Sequence, residues 1–367
     1  MSDRLRKSTK KQVISIILVL TLLLSVILSG CHGQSSEIQN KKFRKFTETL
    51  FCQEVASNTV SLHYTLKDPG QYGIQDSPVT LGYFNTDKGT RKISTENTQA
   101  ALKRFSYRKL SRENRLTYDV LDYYLELSKK ESDYLLYEEP MGTVSGVQTQ
   151  IPVLLSEYQF QSKEDVDAYL ELMKTTPDYF NSLIAFEQEK AQKGLFMASY
   201  TADTVIEQCQ AFIDMGDSNY LISTFVDRIQ KLTDLSESEK SDYIQKNAYM
   251  LKTYVLPAYQ QLIKTVVELK DSGKNEEGLC YLPNGKEYYE LTVQASTGSA
   301  RTVPQLQKLT KNQMKDDLAA MKAVIGLTAE QAKETAVMES TDPKEILNSL
   351  SLDIQKTFPK LPQTSVE

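Results

Sequence analysis

SESEKSDYIQKNAYMLKTYVLPAYQQLIKTVVELK, residues 236–270, is the stretch whose reading decides the fold. Ser236 followed by Glu239 is a capping box: the serine oxygen takes the amide of the fourth residue while the glutamate returns to the serine amide. The pattern predicts a long helix running to about Lys270, kinked at Pro257, which lacks a backbone donor and crowds the preceding turn. The same grammar recurs outward from it. Ser162 with Asp165 opens a helix whose face is Val166, Tyr169, Leu170 and Met173. Pro177 restarts a helix at its first position and Gly194 ends it. Val205, Ile206, Cys209, Phe212 and Ile213 mark the next.

Towards the N-terminus, Phe43, Phe46, Leu50 and Phe51 share one helical face, and a helix resumes near Thr95. Ser111 caps another, with Leu116, Val120, Tyr123, Tyr124 and Leu127 expected on its packed side. Towards the C-terminus, Thr302 caps a helix led in by Pro304 and closed by Gly326, and Asp342-Pro343 starts a last one that stops at Pro359. Three stretches break the period: Asn58 to about Asp87, Pro140 to Pro152, and a turn-rich island from Asp271 to Arg301. Strand-like alternation amounts at most to a short hairpin around Gly142 or Cys280. The expected fold is all-α, about ten helices in a helical array with irregular connections. No short internal repeat points to a solenoid.

An address precedes this domain. Arg4, Arg6, Lys7, Lys10 and Lys11 stand before an uncharged apolar run, Val13 to Leu28, which ends in Leu28-Ser29-Gly30-Cys31. That order fits a secretory signal peptide. The closing four residues resemble the lipobox of bacterial lipoproteins, and the resemblance implies cleavage before Cys31 and a diacylglyceryl group on its thiol. Residues 1–30 are then the signal peptide, 31–39 a polar tether and 40–367 the helical domain. The expected location is the extracytoplasmic face of the cell membrane, with the lipid on Cys31 as anchor. An uncleaved membrane anchor is the alternative, though the run is slightly short for a span. Residues 1–30 carry a net +4, so the remainder is −9 against −5 for the whole chain. That balance argues against a nucleic-acid partner.

Chemistry is sparse. The two histidines are His32, in the tether, and His63, in Ser61-Leu62-His63-Tyr64, where a satisfied packed histidine is the plain reading. No H-E-x-x-H, Gly-x-Ser-x-Gly or Gly-rich phosphate loop occurs. Glu138-Glu139 and Glu276-Glu277 are paired acids, read as solvated faces in a chain that is 25% charged. Cys52, Cys209 and Cys280 are far apart and form no CxxC pair, so they read as scattered thiols. Tyr (21) outnumbers Phe (12) and Trp is absent, which suits a tyrosine-lined cleft and equally an ordinary helical core.

A family resemblance rests on several stretches. They are Phe46-Thr-Glu-Thr-Leu-Phe-Cys-Gln-Glu-Val55, Leu62-His-Tyr-Thr-Leu-Lys-Asp-Pro69, Arg115-Leu-Thr-Tyr-Asp-Val-Leu-Asp-Tyr-Tyr-Leu125, Ile151-Pro-Val-Leu-Leu155 and Gly194-Leu-Phe-Met197. Most specific is Gly278-Leu-Cys-Tyr-Leu-Pro-Asn-Gly-Lys-Glu-Tyr-Tyr289, followed by Ser296-Thr-Gly298. In this order, and with Asp342-Pro343 and Phe358-Pro359-Lys360-Leu361-Pro362, the chain from about residue 40 resembles the bacterial domain-of-unknown-function family numbered 885, in its lipoprotein branch.

That family is similar to helical gluzincin peptidases, whose members carry an H-E-x-x-P-G-H-type zinc motif in a C-terminal part. The resemblance implies peptide hydrolysis for full-length relatives, with zinc polarising the scissile carbonyl and activating water. None of those ligands maps onto a residue here, so no cofactor, metal ligand or catalytic residue is expected in this chain, which ends at Glu367 before that part begins. The expectation is therefore a surface-anchored lipoprotein, the truncated N-terminal portion of a zinc-metallopeptidase-like protein, catalytically silent alone. One alternative is a non-enzymatic helical lipoprotein that binds a peptide or partner, and another is an enzyme of unrecognised, metal-free mechanism. Candidate partners are the membrane, a peptide and the missing C-terminal half. Gly285, Tyr288 and Tyr289 are carried over as a cleft wall, with a packed helix-start aromatic as the plainer reading. Ser296-Thr297-Gly298 reads as a loop leading into a helix rather than an anion nest.

Overall fold

A computed structural model describes residues 35–75, 77–274, 276–325 and 342–357. They fall into two units, residues up to 295 and residues from 296 on. Among the described residues no strand occurs, so the hairpin is absent: Gly142 directly precedes a turn at residues 143–145, and Leu279–Tyr281 is a single 3₁₀ turn. The chain is all-α.

The first unit opens with α1 (Ser36–Val55), α2 (Thr59–Thr65), α3 (Lys88–Leu102) and α4 (Arg112–Glu131). Phe43 and Phe46 of α1 pack with Leu102, Leu110 and Leu125 into a small core, with Phe105 edge-on to Phe43 at 5.3 Å. Asn40 of α1 ties this lobe together, donating to the Lys109 carbonyl (3.0 Å) and accepting from the Ser111 amide (2.7 Å). Two expectations change here. α3 starts at Lys88, well before Thr95, because Asp87 caps it by accepting from the Gly89 and Thr90 amides. The face expected to pack on α4 is mostly solvent-exposed: Leu116 is 66% and Val120 62% accessible, and Leu127 alone is buried. The helix instead turns Asn114, Tyr118, Leu121 and Leu125 inward, because α1 and α3 meet it on that side.

A larger core joins α5 (Val147–Glu157), α6 (Lys163–Lys174), α7 (Thr176–Gln192), α8 (Ser199–Asp214), α9 (Tyr220–Ile229), α10 (Glu237–Met250) and α11 (Leu256–Leu269). Both capping boxes form, at Ser162/Asp165 and Ser236/Glu239. Val166, Tyr169, Leu170 and Met173 are all buried. Gly194 closes α7 in the left-handed region (φ 69°). Pro257 is absorbed by a π-helical turn, Leu251–Val255, in which the Leu256 amide reaches back to the Leu251 carbonyl. The stretch expected to be irregular up to Pro152 is helical from Val147 on, where α5 begins, with Pro152 inside the helix.

The island also hides a helix, α12 (Gly285–Thr297), with Leu282 packed among Leu135, Leu136, Phe186 and Leu195. In the second unit lie α13 (Val303–Ile325) and α14 (Pro343–Thr357). Leu309, Met314, Leu318 and Met321 of α13 and Leu347, Leu350 and Ile354 of α14 are exposed.

Candidate functional site

Gly278 to Tyr289 folds as a tight turn into a helix. Asn284 takes φ 54°, a left-handed conformation that asparagine tolerates better than most residues. The Gly285 amide closes on the Leu282 carbonyl at 3.0 Å. A Cβ on Gly285 would lie 1.8 Å from the Leu279 carbonyl oxygen, so only glycine fits there. One turn into α12, the Tyr288 ring stands 5.7 Å from Tyr134 and 5.2 Å from Tyr137, both on the 3₁₀ segment Ser132–Tyr137 that follows α4. The Tyr137 hydroxyl donates to the Pro283 carbonyl. Gly285 and Tyr288 are thus brought to one three-tyrosine cluster, whereas Tyr289, 51% exposed, has no part in its ring contacts.

Beside this cluster sits a group of charges that sequence reasoning missed. Lys190 of α7 is fully buried and donates to the Glu138 carbonyl at 2.7 Å. Its ammonium lies 3.2 Å from Glu139 Oε2 and 3.5 Å from Glu187 Oε2. Glu187 is also buried; its Oε2 sits at ion-pair distance from Lys190, and neither carboxylate oxygen has a partner in hydrogen-bond geometry. Burial drives the Glu187 carboxyl up from 4.5 to about 7, against the pull of the Lys190 ammonium. The partly exposed Glu139 carboxyl is also raised by burial. Tyr288 is raised too, by burial first and then by the nearby carboxylates of Glu138, Glu139 and Glu131. Glu187 thus sits with a raised carboxyl pKa beside the buried Lys190 cation, next to the tyrosine cluster.

The paired acids therefore separate: Glu138 meets Arg91 at 2.7 Å on the surface, while Glu139 reaches a buried lysine. A signal was available in α7, where Leu183, Glu187 and Lys190 recur at helical spacing and place two charges on a core-facing stripe. Of the other acidic pair, Glu276 accepts from the Ser199 amide (2.9 Å) and hydroxyl at the start of α8, while Glu277 is exposed. Ser296-Thr297-Gly298 ends α12 rather than leading into a helix, and Gly298 takes φ 64° as it leaves.

His63 is engaged as a packed histidine. Its Nε2 accepts from the Gln159 amide (3.2 Å) and its ring stacks on Tyr158 at 3.8 Å. Desolvation lowers its pKa, only partly offset by Asp165. Among the described residues no group of three His, Cys, Asp or Glu side chains converges in the manner of metal ligands. Cys52, Cys209 and Cys280 are free thiols. Leu28, Ser29, Gly30 and Cys31, with His32, lie outside the described residues. No described helix is long and apolar enough to cross a membrane.

The family model described as "Bacterial protein of unknown function (DUF885)" matches residues 83–365. The fold is similar to the crystal structure of a candidate lipoprotein from Colwellia psychrerythraea, with a TM-score of 0.64 at 15% sequence identity over 88% of this chain. The chain spans 58% of the length of that protein. No curated protein matches. With the family model covering the island, the tyrosine cluster and the Lys190 group, the chain belongs to the bacterial family of unknown function numbered 885.

Proposed function

We propose that this chain is the helical, non-catalytic portion of a zinc-metallopeptidase-like lipoprotein, held at the outer face of the membrane through Cys31, and that it supplies one wall of a peptide-binding cleft. The observation that supports the proposal is the three-tyrosine cluster with its charged neighbours. Tyr288 sits on a turn that only Gly285 permits, against Tyr134 and Tyr137 and beside the Glu139–Lys190–Glu187 group. Tyrosine hydroxyls hold backbone carbonyls well, and a part-buried platform orders them before a peptide arrives. The signal segment and Leu28-Ser29-Gly30-Cys31 support the location.

Two experiments test this. Cells expressing the full chain and its Cys31→Ala variant are fed labelled palmitate; label on the native chain and none on the variant is expected, and an unlabelled native chain overturns the anchor. The purified protein is then titrated calorimetrically with a mixed peptide pool, and assayed for hydrolysis with zinc and with chelator. Peptide binding that Tyr288→Ala weakens severalfold, without turnover, is expected. Turnover that chelator leaves unchanged overturns the non-catalytic reading. Binding that ignores Tyr288 removes the wall.

The alternative, a self-sufficient partner-binding lipoprotein, draws on the exposed Leu116, Val120 and Tyr124 of α4.

A further inference from the structure

Charge is unevenly placed in the first unit. Residues 132–295 hold 26 acidic against 13 basic residues. Residues 36–45 and 103–115 together hold ten Lys and Arg against two acids, Glu37 and Glu113. These two segments are one place in the fold. Ser36 Oγ donates to the Lys109 carbonyl at 2.5 Å, and the Ser106 amide donates to Gln39 at 3.1 Å. The first turns of α1 are thereby docked on the α3–α4 corner. Lys41, Lys42, Arg44, Lys103, Arg104 and Arg108 are all exposed there, and none forms an ion pair among the described residues. Between them Ile38 is 47% and Tyr107 40% exposed, the apolar and amphipathic side chains that favour a headgroup boundary.

Position decides what this surface meets. Cys31 lies only five residues before Ser36, so a lipid there holds this end of the molecule within one short tether of the bilayer. We infer that the basic pole formed by the start of α1 and the α3–α4 corner is a docking surface for an anionic phospholipid bilayer. It rests on the anchor reading for its placement, not for its chemistry. Each Lys or Arg near an anionic leaflet adds attraction that salt screens. The acidic remainder of the unit is repelled by the same leaflet, so the two ends cooperate in setting one orientation. That orientation keeps the acidic body, with the tyrosine cluster, directed away from the lipid.

The test uses residues 31–367 with Cys31→Ser, which retains every described residue and carries no lipid. Protein is floated with phosphatidylcholine vesicles and with vesicles containing about 30% phosphatidylglycerol, at roughly 0.05 M and 0.5 M salt. Binding to the anionic vesicles alone, lost at high salt, is expected. Lys41→Glu, Lys42→Glu and Arg104→Glu together should weaken it at least about tenfold, and the matching Gln set by a smaller factor. A control reversal of Lys231, Lys246 and Lys264, with the same charge change on the acidic body, should leave most of it. Circular dichroism and a cooperative melt establish that each variant is folded, and the Gln set serves if the reversal does not fold. Equal binding to neutral vesicles, no binding to anionic ones, or equal loss in the control overturns the inference. Vesicle binding without palmitate labelling keeps the docking surface and removes the anchor, and labelling without vesicle binding does the reverse.

Discussion

The Tyr259 hydroxyl donates, at 2.7 Å and in the core, to the Gln148 carbonyl, the acceptor that Pro152 leaves unserved. Within α5 an ordinary residue at position 152 would give its amide to that carbonyl, and proline has none. A side chain from α11 thus repairs the backbone of α5, which explains how a helix persists through a proline in a buried setting. Tyr259→Phe should cost about 1–3 kcal/mol, because it leaves a buried acceptor unpaired. In a Pro152→Ala background the alanine amide takes the same carbonyl, so the cost should fall by at least half. Urea titrations of the four proteins give this cycle. An unchanged cost in both backgrounds contradicts the repair.

Glu187 contributes a pH dependence to stability. Its folded pKa of about 7 exceeds the ordinary 4.5, so the unfolded chain releases this proton first as pH rises. Through that window the folded form binds more protons, and stability falls with rising pH. The loss should total roughly 3 kcal/mol by about pH 8. Glu187→Gln keeps the shape and has no proton to release, so its stability should stay flatter from about pH 5 to 8. Parallel denaturation curves for the two proteins across that range contradict this assignment.

What the sequence made legible follows from range. Capping boxes at Ser162/Asp165 and Ser236/Glu239 involve residues three apart, so each helix start was readable locally, and both formed. Pro257 on its own predicts a kink, whereas a π turn spreads the adjustment over Leu251–Val255. Pro152 signals a break when taken locally, because its compensation, Tyr259, lies far along the chain. Of the candidate site, the motif names Gly285, Tyr288 and Tyr289, of which Tyr288 joins the tyrosine cluster and Tyr289 does not. Glu139, Glu187 and Lys190, by contrast, converge only when α7 packs behind the Ser132–Tyr137 segment.

α4 offers a direct test of the same point. Leu116, Val120, Tyr123 and Tyr124 recur at helical spacing as convincingly as a packed stripe, yet Leu125 is 5% exposed where Leu116 is 66%. Leu116→Lys with Val120→Lys should shift stability by no more than about 0.5 kcal/mol per site. Leu125→Ala, which opens the core around Phe43 and Leu102, should cost about 2–5 kcal/mol. Thermal and urea midpoints measure both, and a large loss from the lysine pair contradicts the exposed assignment.

Gly285 gives the sharpest steric prediction. An alanine there puts its methyl 1.8 Å from the Leu279 oxygen and 2.9 Å from its carbon, and backbone has no rotamer by which to yield. Gly285→Ala should therefore open the Leu279–Tyr281 turn and release the start of α12 at a local cost of roughly 2–4 kcal/mol. Hydrogen exchange should rise across residues 278–297, and the raised pKa of Tyr288 should relax towards 10.0 as its burial is lost. Gly142→Ala is the matched control, since a methyl added there would meet nothing within 4 Å, and it should change stability by no more than about 0.5 kcal/mol. If Gly285→Ala leaves exchange in the α12 segment at its native rate, the turn yields elsewhere, and Gly285 does not hold Tyr288 against Tyr134 and Tyr137.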